Sequence, residues 1–132
     1  MEQLLHYVWK HKIFPLSALQ TTSGRPVEVI DPGLPNMNAG PDFFNAKLKI
    51  DGTLWVGNVE VHTQASEWLL HRHDRDKAYD TVILHVVGES NCDVYRTNGE
   101  LVPQMVLTCP DTVRLRYEEL RQTEIYPPCY SI

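Results

Sequence analysis

The stretch PDFFNAKLKIDGTLWVGNVEVH, residues 41–62, decides how the chain folds. Between Phe43 and Ile50 the side chains alternate, with Phe44, Ala46, Leu48 and Ile50 on one face of an extended segment. Asp51-Gly52 follows, and a glycine in such a pair supplies the positive φ that a tight hairpin turn needs. The chain returns as LWVGNVEVH, with Trp55, Val59 and Val61 on one side and Asn58, Glu60 and His62 on the other. The pattern predicts a β-hairpin over residues 43–62.

A hairpin closed at Asp51-Gly52 sets the start of one arm beside the end of the other. Asp42 therefore falls roughly opposite the Glu60–His62 region, and two carboxylates and an imidazole converge from distant positions. Hard divalent ions such as Mg²⁺ or Mn²⁺ favour carboxylate, carbonyl and water ligands, and the Val61 carbonyl adds to the set. An ion held there polarises a phosphoryl oxygen and activates water. The plain alternative stays open: Asp42 caps a turn, and Glu60 and His62 form the solvated face of an edge strand.

The flanks predict a mixed α/β layer. In EQLLHYVWKHKIF, Leu4, Leu5, Val8 and Trp9 recur at helical spacing, with Trp9 in the core and His6 and His11 at the surface; Pro15 ends this helix. RPVEVID reads as a short strand and PGLPNMNAGPD as a loop. Ser66 is placed to cap a second helix that Glu67, Trp68, Leu69 and Leu70 continue, and the charged run HRHDRDK is its C-terminal half or a loop. TVILHVVG is almost wholly apolar, as a strand buried on both faces is. DVYRTNGELVPQMVL reads as a second hairpin turning at Asn98-Gly99, and CPDTVRLRYEELRQ as a final helix with Pro110 and Asp111 in its first turn.

Composition narrows the class. The chain has 132 residues, 42% hydrophobic and 22% charged, enough for one domain over 1–132 with a true core. No apolar run approaches the roughly 18–20 residues that span a bilayer, and the start lacks the basic, small-residue pattern of a secretory signal. Cys92, Cys109 and Cys129 are odd in number and form no CxxC pair, so neither a disulfide framework nor a cysteine zinc site is indicated, and a reducing cytoplasm is the simplest setting. A net charge of −5 argues against a stand-alone non-specific nucleic-acid binder. It leaves room for an acidic metal site that acts on a phosphodiester. The closing TEIYPPCYSI reads as a natural terminus or as the start of a linker to a further domain or protein partner.

The quoted stretch resembles the core of the PD-(D/E)xK nuclease superfamily. Pro41-Asp42 matches the Pro-Asp pair that begins one strand, and Glu60-Val61 matches the start of the (D/E)-x-K triplet on the next. The resemblance implies a restriction-endonuclease-like fold, a mixed sheet flanked by helices with an added C-terminal hairpin and helix. It implies Asp42 and Glu60 as ligands of Mg²⁺ or Mn²⁺ and nucleic acid as the partner. His62 stands where that superfamily has the lysine that orients or deprotonates the attacking water. A neutral histidine is able to serve as that base or to ligate the metal; Lys47 and Lys49 are substitutes for the displaced lysine. The segments AGPDFFNAKLKIDGTLWVGNVEVH, HRHDRDKAYDTVILHVV and YPPCY also resemble the N-terminal portion of an uncharacterised Bacteroidetes family of unknown function, whose members are longer.

Other groups stand as additional candidates. Glu28, in VEVID, is a further carboxylate or the exposed side of its strand. His71, His73 and Asp74, with His62 and His85, suggest a zinc or other transition-metal site. On a helix, however, His71 and His73 point apart, without the i,i+4 logic of a zinc helix. His85, inside an apolar strand, is a satisfied core histidine or a partner to His62. Arg72, Arg75 and Lys77 read as a solvated face and are also the nearest basic groups to meet a phosphate. The expected function is a metal-dependent nuclease or phosphodiesterase module. The competing class is an inactive nuclease-like fold used for binding or assembly, and a zinc hydrolase is third.

Overall fold

A computed structural model describes residues 2–12 and 19–108. Helix α1 (Glu2–Lys10) is followed by strands β1 (Val27–Asp31), β2 (Leu34–Pro35), β3 (Phe43–Ile50) and β4 (Thr53–Gln64). A crossover then carries the short helix α2 (Glu67–Leu70) and two 3₁₀ turns, His73–Arg75 and Lys77–Tyr79, before β5 (Val82–Glu89) and β6 (Gln104–Val106). The strands form one sheet in the order β1-β3-β4-β5-β6, with β2 paired to β3. Pairing is antiparallel from β1 to β4 and parallel from β4 through β6. This is a mixed α/β architecture. The predicted C-terminal helix lies outside the described residues. Among those residues no helix is long and apolar enough to cross a membrane.

Two layers of apolar side chains hold the sheet. On one face, Leu4, Leu5, Val8 and Trp9 of α1 pack against Ala46, Leu48, Val59, Val61, Leu84 and Val86. Burying each large apolar side chain contributes about 1.5–3 kcal/mol relative to leaving it in water. The Trp9 indole N–H is not wasted, since it donates to the Pro32 carbonyl at 2.9 Å. On the other face, Trp68 and Tyr79 of the crossover pack with Val82, Val87, Val94 and Val102. Strand β5 lies between these layers, and its first six residues are buried.

The β3–β4 hairpin turns where the sequence predicts, with Asp51 and Gly52 both at positive φ. Three details differ from the sequence reading. Phe43, not Phe44, enters the core, because Asn45 adopts φ 58° and a bulge there shifts the alternation. Trp55 pairs with Leu48 yet remains 48% exposed, on the part of β4 that precedes its pairing with β5 at Asn58. The PGLPNMNAGPD loop contains the two-residue strand β2.

The second half departs further. The second helix covers Glu67–Leu70, HRHDRDK takes the loop alternative with its own 3₁₀ turn, and the Ser66 side chain makes no capping bond. The predicted C-terminal hairpin is reduced to one antiparallel bridge, Tyr95 with Leu101. Pro103 has no N–H to extend that ladder. Its carbonyl instead accepts the His85 N–H at 2.8 Å, and the chain continues as β6, parallel to β5.

Gly57 lies tight against the start of β5. A Cβ there would lie 2.5 Å from Ile83 Cγ2 and 3.0 Å from the Thr81 carbonyl. Gly57→Ala is expected to cost about 1–3 kcal/mol through overpacking, read as a lower urea midpoint at unchanged m-value.

Candidate functional site

Asp42 and Glu60 meet at the end of the β3–β4 pair, where each carboxylate engages the backbone beside the other. The Asp42 N–H donates to Glu60 Oε1 at 3.1 Å, and the Val61 N–H donates to Asp42 Oδ2 at 2.9 Å. The second oxygen of Glu60 faces the crossover, with Oε2 3.2 Å from His62 Nε2 and 3.1 Å from His73 Nε2. Glu60, His62, His73 and His85 are all buried. Burial pushes the Glu60 carboxyl up, but bonds from His62 and His73, the charge of His62 and the bond from Asp42 outweigh it and hold it at about 2.

A relay of hydrogen bonds runs from His62 to the sheet edge. His62 Nδ1 lies 2.7 Å from His85 Nε2, and His85 Nδ1 lies 2.9 Å from Gln104 Oε1. The Gln104 amide nitrogen donates to Ser90 Oγ at 2.7 Å and to the Cys92 carbonyl at 3.0 Å. That carbonyl only accepts, so the amide cannot be turned over. Gln104 Oε1 therefore accepts a hydrogen from His85 Nδ1. Burial pushes His85 down to about 4 even though the Gln104 bond pulls it up, so the ring is neutral at pH 7 and its Nε2 is a bare acceptor. His62 Nδ1 must then carry the hydrogen, leaving Nε2 as the nitrogen turned to Glu60. A lone pair set against a carboxylate is repulsive. Only a proton or a metal cation at Nε2 makes that contact favourable.

The crossover brings in two more rings. Arg72 adopts φ 58°, a left-handed turn directly after α2. One ring nitrogen from each of His62, His71 and His73 consequently lies within 4.8 Å of the others. His73 stacks on Tyr79 with centroids 3.6 Å apart, and burial, with the charges of Glu60, Asp42 and Asp76, pushes that phenol up to about 12. The Nδ1 of His73 is buried and has no hydrogen-bond partner among the described residues.

At the outer rim, α1 contributes groups that sequence reasoning placed at the surface or passed over. His6 Nε2 lies 3.3 Å from Asp42 Oδ2 and 3.9 Å from Glu2 Oε2. Burial pulls His6 down, but Asp42, Glu2 and Glu60 more than offset it and the ring is raised. Glu67 Oε2 accepts from Thr63 Oγ1 at 2.6 Å and from the Gln64 N–H at 2.8 Å, which with the charges of His62 and His71 lowers its carboxyl against the effect of burial.

The structure thus gathers Asp42, Glu60, His62, His71, His73 and His85, and leaves the named candidates Glu28, Lys47 and Lys49 apart. Glu28 is exposed and pairs with Lys49 on β1–β3. Lys47 is exposed and pairs with Val56, four positions before Glu60 and so roughly 13 Å away along the strand at 3.3 Å per residue. It does not replace the missing lysine. Sequence reasoning missed Gln104, His6 and Glu2. Alternation around QMV on β6 was the one available signal for Gln104.

Comparison with protein families matches residues 2–132 to the family described as "Protein of unknown function (DUF2851)". The chain belongs to that family. No curated protein matches, and no solved structure matches.

The buried histidine makes stability depend on acid. Because the folded His85 sits at about 4 and an unfolded histidine near 6.5, its contribution is complete above pH 6.5 and is lost as pH falls toward 4. The loss reaches up to about 3 kcal/mol. Glu60 acts in the same direction over a lower window, from 4.5 down to about 2. His6, being raised, acts oppositely, losing its contribution above pH 6.5. Urea titrations from pH 7.5 to 4.5 should show stability falling with acid, and His85→Gln should flatten that slope. Gln104→Leu, which strands the His85 N–H, should cost about 1–3 kcal/mol at pH 7.5.

Proposed function

We propose that this chain is a divalent-metal-dependent phosphodiesterase or nuclease-like module. The observation that carries this reading is the locking of Asp42 and Glu60 to each other's strand, with His62 directly beside them. The order helix, antiparallel strands, crossover and parallel strand agrees with a restriction-endonuclease-like core, in which acids at these two positions hold the ion. Asp42 and Glu60 supply oxygen donors. His62 fills the lysine position with its Nε2 turned toward Glu60, so it serves the ion as a donor rather than standing off as a free base.

A bound divalent ion supplies Lewis-acid stabilisation of phosphoryl charge and a water of lowered pKa. The chain's own groups do the rest. The Asp42 and Val61 backbone amides hold the two carboxylates in place, and the His85–Gln104 relay fixes which nitrogen of His62 faces the reacting corner. Arg72, Arg75 and Lys77, on the crossover beside the site, are the basic groups available to the phosphates of a nucleic acid.

A second reading has its own support. Both carboxylates already have hydrogen-bond partners within the protein, and no lysine stands on the Glu60–His62 end of the strand. A nuclease-like fold retained for binding or assembly fits those facts. Incubation of the untagged chain with millimolar Mn²⁺ or Mg²⁺ and single- and double-stranded DNA and RNA decides between them. The hydrolytic reading expects cleavage that a chelator abolishes and that Glu60→Gln lowers by roughly two orders of magnitude or more. Absence of cleavage from a folded, metal-loaded chain leaves the assembly reading.

A further inference from the structure

The geometry points to a transition-metal site built on His62, His71 and His73, with the Glu60 carboxylate as its anionic member. This deepens the proposed function in one respect: it rests on the reading that a cation occupies this corner, and it stands whether or not a phosphodiester is cut.

Three observations on separate atoms converge. The three imidazole rings are nearly equidistant, with centroids 5.2 Å apart for His62 and His71 and 5.4 Å for each of the other two pairs. Each ring offers a nitrogen within 4.8 Å of the other two. A tetrahedral ion about 2.0–2.1 Å from its nitrogen and oxygen ligands holds those ligands roughly 3.3 Å apart. Glu60 Oε2 stands at 3.2 Å and 3.1 Å from the Nε2 atoms of His62 and His73. The third observation is the His73 ring, 6% exposed, whose Nδ1 has no hydrogen-bond partner among the described residues. Hydrogen bonding within the protein does not use up the capacity of this buried ring.

The donor set selects the class of ion. Imidazole suits Zn²⁺, Co²⁺, Ni²⁺, Cu²⁺ and Fe²⁺, whereas Mg²⁺, Ca²⁺ and Mn²⁺ favour oxygen ligands. Three imidazoles and one carboxylate leave a divalent ion with a net positive charge at the site, suited to an anionic ligand. The backing matches that of known metal histidines, whose second ring nitrogen is fixed by a hydrogen bond. Here His62 uses His85, and Gln104 fixes His85 in turn. His71 is the exposed member, and its position after α2 lets it close over the ion from the solvent side.

The test is metal titration of the untagged full chain after chelator treatment, by calorimetry with Zn²⁺ and Mg²⁺ and by visible absorption with Co²⁺. The expected result is one equivalent of Zn²⁺, competition by Co²⁺ with the absorption of a nitrogen-rich tetrahedral site, and no competition by Mg²⁺ at equal concentration. Because His71 is exposed, His71→Ala should fold normally, as checked by circular dichroism, and bind Zn²⁺ about tenfold or more weakly. His73→Ala should weaken it similarly, while His11→Ala, at an exposed position just after α1, should leave it unchanged. Lack of a stoichiometric site, equal preference for Mg²⁺, or unaltered affinity in His71→Ala overturns the inference. Zinc bound without phosphodiester cleavage upholds it and removes only the hydrolytic reading.

Discussion

The reciprocal clamp between Asp42 and Glu60 is the constraint on which the site depends. Each side chain satisfies a backbone N–H on the other's strand, at 3.1 Å and 2.9 Å. The place where antiparallel pairing ends is therefore closed by side chains. Charge-assisted bonds of this kind are shorter and stronger than neutral ones. They also set where the charges stand. Glu60 spends one oxygen on the clamp and keeps the other for the histidines, and Asp42 faces both the strand and α1. Because two elements meet at each carboxylate, the site is part of the fold rather than an addition to its surface.

Burying so many polar groups is costly unless each has a partner. The fold meets this by serial bonding: Gln104 is held by Ser90 and Cys92, His85 by Gln104, His62 by His85. Aromatic packing does the rest, with Tyr79 flat against His73 and the Trp68 ring 5.0 Å from that of His85. Both belong to the apolar layer formed by the crossover, so the same residues that stabilise that face also shield the buried rings of His73 and His85.

How much of this the sequence disclosed depended on the range of the interaction. The hairpin was legible because Asp51-Gly52 fixes its turn and the alternation fixes its faces; the approach of Asp42 to Glu60 follows from that register alone. Burial of β5 was legible from its composition. Phe43 was misread because a single bulge at Asn45 inverts a period-two argument. The meeting of His71 and His73 was hidden, because the spacing argument presumed a helix and the chain leaves α2 through a left-handed Arg72. Gln104 was hidden more deeply. Its role depends on parallel pairing of β6 with β5, which no local pattern specifies, and the Asn98-Gly99 turn pointed to a longer hairpin than forms.

The parallel placement of β6 reaches beyond architecture. The strand is three residues long, and Gln104 is its first. A slip by one position would exchange the amide for Met105, whose thioether is only a weak acceptor, or Pro103, whose side chain has none. Lacking that acceptor, the imidazole chain has no fixed polarity, and the atom that His62 presents to Glu60 ceases to be determined. The alignment of the outermost strand and the location of one hydrogen at the centre of the protein are thus a single degree of freedom.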